Sequence, residues 1–310
     1  MYLKGHHFLY SQGTSGNQKA LELFESALER DPGFARAYAG VSSARTRIGM
    51  LGAGDPRIEL PKAKAAALKA LELDSTVAEA HASLAHILFV WEWDHEAADR
   101  AFRKAIALDP DDANTRWVYG ISLLDEARFD EAEREFRLAR DLEPLMPHAN
   151  SLLGRYFVAR RQPDSAIKYL REAIELGQRV DLGYQQLGHA YLQKRMYAEA
   201  IDTFREAAAL SGAHDSAHLV YAYAVSGNRA EAEKTLRQIL SASPVRYLSP
   251  MDMAIAYAGL GRKDEAFQWL DRGVNEHAPF MDNIRVMPGL ESLRSDARFA
   301  DLISRMRPRG

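Results

Sequence analysis

The stretch RFDEAEREFRLARDLEP at 128–144 decides the fold, because the chain writes it again as QPDSAIKYLREAIELGQ at 162–178 and as MYAEAIDTFREAAALSG at 196–212. Ala132, Ala166 and Ala200 stand 34 residues apart. A large apolar residue follows each after four positions (Phe136, Leu170, Phe204), and a second small residue after three more (Ala139, Ala173, Ala207). Spacings of four and three place these positions on one helical face. The small residues let another helix come close, and the large one fills the space between them. Replacing Ala166 with leucine is therefore expected to overpack the contact and cost about 1–3 kcal/mol, read as a lower urea midpoint.

A second helical pattern lies upstream of each copy: WVYGISLL at 117–124, SLLGRYFV at 151–158 and QQLGHAYL at 185–192. Gly120, Gly154 and Gly188 share the 34-residue period. A glycine inside a helix costs about 1 kcal/mol against alanine. Three at one period predict a packing role, with the backbone of the partner helix set against them. Each unit reads as helix, short turn, helix, closed by breakers such as Pro110, Pro144 and Gly177.

These residues resemble the tetratricopeptide repeat, a 34-residue helix-turn-helix unit with the pattern W-x2-L-G-x2-Y, then A-x3-F, then P. The clearest copy, 113–146, has Tyr119-Gly120, Leu123, Ala132, Phe136, Ala139 and Pro144. The copy beginning at 181 has Leu187-Gly188, Tyr191, Ala200, Phe204 and Ala207. Counting outward gives approximate units at 1–34, 35–77, 78–112, 113–146, 147–180, 181–212, 213–246 and 247–280, with a C-terminal cap at 281–310. The first unit is expected to have a lengthened turn and the second an insertion around 49–61; the turn near 213 is expected to be shortened. The resemblance implies an all-α fold, a right-handed α-α superhelix (solenoid) of about eight repeats. One repeat cannot bury its apolar face alone, whereas stacked neighbours build a continuous core. In the cap, DARFADLISRM is expected to form a closing helix through Phe299, Leu302, Ile303 and Met306, after a loop at Pro288-Gly289.

A finer resemblance rests on LPKAKAAALKALELD, WEWD, YAVSGNRAEA and LRSDARFADLISRM. It is to the C-terminal repeat regions of bacterial signalling proteins whose N-terminal halves are winged-helix regulators, serine/threonine kinases or cyclase-like domains. That resemblance implies a regulatory or partner-binding module and carries over no catalytic residue. The abrupt helical start at Met1 suggests a piece of a longer chain.

Composition narrows the function classes. Net charge is −3, which shows no excess of basic residues pointing to nucleic acid. With no cysteine, disulfides, thiolate catalysis and cysteine zinc sites are excluded. The N-terminus lacks a signal-peptide pattern, and the apolar run LAHILFVW at 84–91 is too short to span a bilayer. The chain reads as soluble, with the cytoplasm favoured and the periplasm open for a membrane-anchored parent.

No enzyme site or cofactor is expected. The glycine-rich GMLGAGD at 49–55 and GTSGNQK at 13–19 match no phosphate-binding motif and read as turns. His214 and His218 have metal-ligand spacing without a third ligand. WEWDHE at 91–96 reads as a turn whose tryptophans fold onto the neighbouring repeat rather than a carbohydrate platform. Asp111-Asp112 and Asp130-Glu131 suit helix starts. The expected partner is a protein or peptide, held in the groove lined by the first helix of each unit. Its candidate contacts are Asn114, Trp117, Arg155, Gln185, Gln186, His189, His214, His218 and Tyr221. Tryptophan, tyrosine and arginine are frequent interface anchors. For Trp117 and Tyr221 a partly core position is an equal alternative. A ligand-sensing or regulatory module of a larger signalling protein is the second functional reading.

Overall fold

The computed structural model describes residues 1–11, 13–51, 53–144, 149–177, 180–210, 216–241 and 248–306. Among them every regular element is helical. The α-helices, in order, are α1 (Tyr2–Ser11), α2 (Gly13–Arg30), α3 (Ala35–Met50), α4 (Pro56–Leu73), α5 (Ala78–Val90), α6 (His95–Leu108), α7 (Ala113–Asp125) and α8 (Phe129–Leu142). There follow α9 (Ala149–Ala159), α10 (Pro163–Glu175), α11 (Val180–Gln193), α12 (Tyr197–Leu210), α13 (Ala217–Val225), α14 (Arg229–Ser241), α15 (Pro250–Gly259), α16 (Lys263–Glu276) and α17 (Ala297–Arg305). A single 3₁₀ turn occupies Met281–Asn283. The chain forms two compact units, residues 1–122 and 123–306, and the division falls inside α7.

The small–large–small triplets are the core of each hairpin, as their spacing requires. Ala132, Phe136 and Ala139 are fully buried, as are Ala166, Leu170 and Ala173. The same positions are buried in the other hairpins, at Ala20 and Phe24, at Ala98 and Phe102, at Ala200 and Phe204, and at Ala266 and Leu270. The opposite face of these second helices is solvated and carries pairs one turn apart, such as Arg137 on Glu133 at 2.6 Å.

What the periodic glycines face differs from expectation. The large side chain of the second helix, not its backbone, sits against them. A Cβ on Gly188 would lie 2.6 Å from the Phe204 ring, and one on Gly154 would collide with Leu170. In unit 1, Phe24 is held between two glycines, Gly5 on α1 and Gly40 on α3, each 2.6 Å from the ring by the same measure.

Helix starts follow local chemistry. The side chains of Asp94, Ser216 and Ser249 accept backbone N–H groups of the first turns of α6, α13 and α15. Asp112 accepts the Asn114 N–H at 3.0 Å, and Asp130 and Glu131 sit in the first turn of α8. From the third hairpin on, the turn inside each hairpin uses one left-handed residue: Trp93, Ala127, Arg161 and Arg195 at steps of 34, then Gly227 after 32 and Gly261 after 34 more. Side chains at the first four cost about 1–2 kcal/mol each in that conformation. Replacing Arg195 with glycine is expected to raise stability by up to about 1 kcal/mol, after the greater freedom glycine gives the unfolded chain. A thermal melt checks it.

A second device ties successive hairpins. The Tyr119 phenol donates to Asp99 at 2.6 Å and the Tyr156 phenol to Glu133 at 2.8 Å. Arg171 donates to the Tyr191 oxygen and Arg205 to that of Tyr223. Each bond joins the first helix of one pair to the second helix of the pair before it. Arg137, then Tyr156, hold Glu133 below the usual carboxylate range.

Two local expectations are corrected. GTSGNQK is not a turn: Gly13–Lys19 opens α2, so the lengthened first turn is helix instead. Much of the 49–61 insertion is absorbed as helix, with Asp55 capping α4 and Pro56 in its first turn. The loop proper is left near GMLGAGD. The shortened turn near 213 lies outside the described residues. Of the two WEWDHE tryptophans, Trp93 is buried in its turn and Trp91 is half-buried. The closing helix forms: α17 buries Phe299 and Leu302, Met306 just beyond it is buried, Ile303 is half-buried, and Arg298 and Arg305 reach Asp264 and Asp271 of α16.

Candidate partner-binding face

First helices of neighbouring pairs pack on one another, α1 on α3, α3 on α5, α9 on α11 and α13 on α15. Each unit thereby has a first-helix face, on which the candidate contacts fall.

In unit 1 this face is polar, with Ser43, Arg47 and His86 half-buried and Ser83 buried. The Ser43 and Ser83 hydroxyls share a hydrogen bond of 2.6 Å between α3 and α5. One turn further on, Arg47 stands near His86; burial first, then Arg47, pushes that imidazole down to about 4. At the other end the Tyr2 phenol donates to Glu79 at 3.5 Å, and His6 lies 3.4 Å from the same carboxylate. Burial raises the Tyr2 phenol above its ordinary value, assisted by Glu79 and opposed by Arg36. Of the sequence candidates here, Asn114 is half-buried and Trp117 is core, only 2% exposed.

In unit 2 the candidates divide. Gln186, His189 and His218 are buried, Gln185 is half-buried, and His214 lies outside the described residues. His189 and His218 face one another, with Nε2 of the first 3.1 Å from Nδ1 of the second. Phe204 stacks on His218 and meets His189 edge-on. These imidazoles are satisfied core residues, and no cluster of three metal-ligating side chains occurs among the described residues. Burial, then the neighbouring His218, holds His189 well below 6.5; burial lowers His218, opposed by Asp252. Folded imidazoles with lowered values refuse protons that the unfolded chain accepts. Their contribution is present above pH 6.5 and is lost as pH falls through the folded values. The expected result is a smaller acid-side loss of urea midpoint in His189→Leu than in the native chain, compared from about pH 7 to 5.

Arg155 and Tyr221 have a different fate, which sequence alone did not reveal. Arg155 forms an ion pair with Asp125 at the end of α7, and Asp282 lies beside both. Tyr221 stands where the chain returns after α16: a Cβ on Gly289 would lie 3.5 Å from its ring and 2.8 Å from Ile255 of α15. Burial, then Glu291, pushes the Tyr221 phenol up to about 12. Glu291 also lies 3.7 Å from Arg161 in the turn after α9. Residues 281–291 thus run over the first-helix face of unit 2. The one sequence signal for this was the break in the repeat at 281.

Known proteins agree with the architecture. A family profile described as tetratricopeptide repeat matches residues 120–181, 151–215 and 219–281, together just over half of the chain. The type IV pilus assembly protein PilF of Pseudomonas aeruginosa is 38% identical over 93 residues, 30% of this chain and 36% of PilF. The chain thus aligns with about a third of that relative's length. The solved PilF structure matches at 24% identity and a TM-score of 0.53, over 70% of this chain and 95% of PilF. The Cut9–Hcn1 hetero-tetramer matches at 20% identity and 0.64, over 82% of this chain and 48% of the other. At these identities the two structures share the fold. No helix among the described residues is long and apolar enough to cross a membrane. Buried triplets repeated through the hairpins and the profile match lead to one conclusion: the chain belongs to the tetratricopeptide repeat family.

Proposed function

We propose that this chain is a non-catalytic interaction scaffold that holds a segment of a partner protein against the first-helix face of unit 1. The observation that carries this reading is the polar row on α3 and α5, in which Ser43, Arg47 and His86 are half-buried and Ser83 is buried against Ser43. Hydroxyls can bond a partner's backbone, and Arg47 supplies a cation for an acidic side chain. Asn114 is the sequence candidate in this unit with exposed surface. The net charge of −3 favours a protein over a nucleic acid. Kinship with a protein named for pilus assembly supports the same class of role.

The test is selection from a library of displayed peptides, followed by titration of enriched peptides against the full chain. Enriched peptides should carry an acidic residue and bind at micromolar strength. An Arg47→Glu chain, with native circular dichroism, should bind them at least about tenfold more weakly. Equal binding by this variant would remove the face from consideration.

A further inference from the structure

We infer that residues 281–291 act as a ligand in cis, seated on the first-helix face of unit 2 where a partner segment would lie and able to leave it. This deepens the scaffold reading and rests on it: the family's binding face is filled here by the chain itself.

Four observations support it. The segment is not part of the repeat and, after Met281–Asn283, has no helix, only turns. It crosses several first helices, meeting Asp125 at the end of α7, Arg155 on α9, Arg161 in the turn after α9, Tyr221 on α13 and Ile255 on α15. It is anchored by buried apolar side chains, Met281, Ile284, Val286 and Leu290. Its lead-in is strained: His277 and Phe280 both adopt left-handed backbone, and the Phe280 side chain is left 47% exposed.

The polar fit inside the seat is poor, and that separates a removable occupant from a permanent filler. Asp282 is 8% exposed, and its Oδ1 has no hydrogen-bond partner; the same holds for Oδ1 of the buried Asn283. The charged groups facing Asp282 are Asp125 and Arg155, and the guanidinium is already paired with Asp125. A carboxylate so placed weakens its own segment's hold. Burial first, then Asp125, pushes Asp282 up to about 7. Its contribution to closure is full below the ordinary carboxylate range and is lost as pH rises through that value. A competing partner would offer apolar anchors in the places of Met281 and Leu290 without this misfit.

Hydrogen–deuterium exchange on the full chain decides the matter. Amides of 282–291 should exchange at least about tenfold faster than those of α13 and α15, through an opening smaller than global unfolding. After correction for intrinsic rates, that gap should widen from about pH 6 to 8 in the native chain and stay constant in Asp282→Asn. In a second arm, a fluorescent peptide of residues 279–292 should bind a full-length Leu290→Ser chain at least about tenfold more tightly than it binds the native chain. Equal protection of 282–291, α13 and α15 would make the segment part of one core and overturn the inference. So would a folded Leu290→Ser chain that ignores the peptide. Neither result touches the unit 1 face, which the Arg47→Glu titration reads separately.

Discussion

Replacing Arg155 with alanine is expected to destabilise unit 2 by about 3–5 kcal/mol at pH 7.5. The side chain of Asp125 is 3% exposed and that of Arg155 15%, so both charges of this pair are largely withdrawn from water. Their mutual attraction offsets that desolvation only while both are present. Without the guanidinium, Asp125 has lost its cation while Asp282 stands next to it. Two buried carboxylates then stand side by side without the guanidinium. The loss should shrink on acidification to about pH 5, because Asp282 takes up a proton well above the ordinary carboxylate range. Removing Asp125 as well should restore part of the stability, since a charge pair replaced as a whole costs much less than one that is broken. Urea midpoints of Arg155→Ala and of the Arg155→Met/Asp125→Asn double variant, at the two pH values, give all three comparisons. An unchanged midpoint in the single variant would show that the pair contributes nothing.

The same three residues show where the sequence was legible. A small residue at 132 and a large apolar one at 136, repeated at a 34-residue interval, can be satisfied only by stacked hairpins, because side-chain volume and helical period act locally. Arg155 was legible as a residue on a first helix but not as a partner of Asp125, 30 residues earlier, nor as a neighbour of Asp282. Those relations depend on how the chain returns after its last hairpin, and no periodic signal encodes a return. Helical register hid more. A shift of one position turns a side chain by about 100°, enough to move Trp117, His189 and His218 from a face to the core. At Gly227 and Gly261 the left-handed turn position is held by glycine, which enters it at no steric cost. At Trp93, Ala127, Arg161 and Arg195 the neighbours impose the same conformation on residues whose chemistry does not announce it.

Phe204→Ala is expected to cost about 3–5 kcal/mol, and its coupling to Gly188 tests the hairpin's packing rule. The ring is buried against Gly188 and between His189 and His218, so truncation opens a cavity on three sides. Gly188→Ala in the native background has two opposed effects. Alanine favours the helix by about 1 kcal/mol. Its methyl, however, would sit 2.6 Å from the ring, and overpacking of that kind costs about 1–3 kcal/mol. The ring is wedged by two imidazoles and cannot retreat freely, so the steric effect wins and the single variant loses stability. In the Phe204→Ala background the obstacle is gone. The methyl then enters the cavity, and the helical preference acts unopposed. Gly188→Ala should therefore change sign, from destabilising to stabilising by about 1 kcal/mol or more. A double-mutant cycle by urea denaturation reads this directly. Additive single effects would mean that the glycine is there for some reason other than the ring it faces.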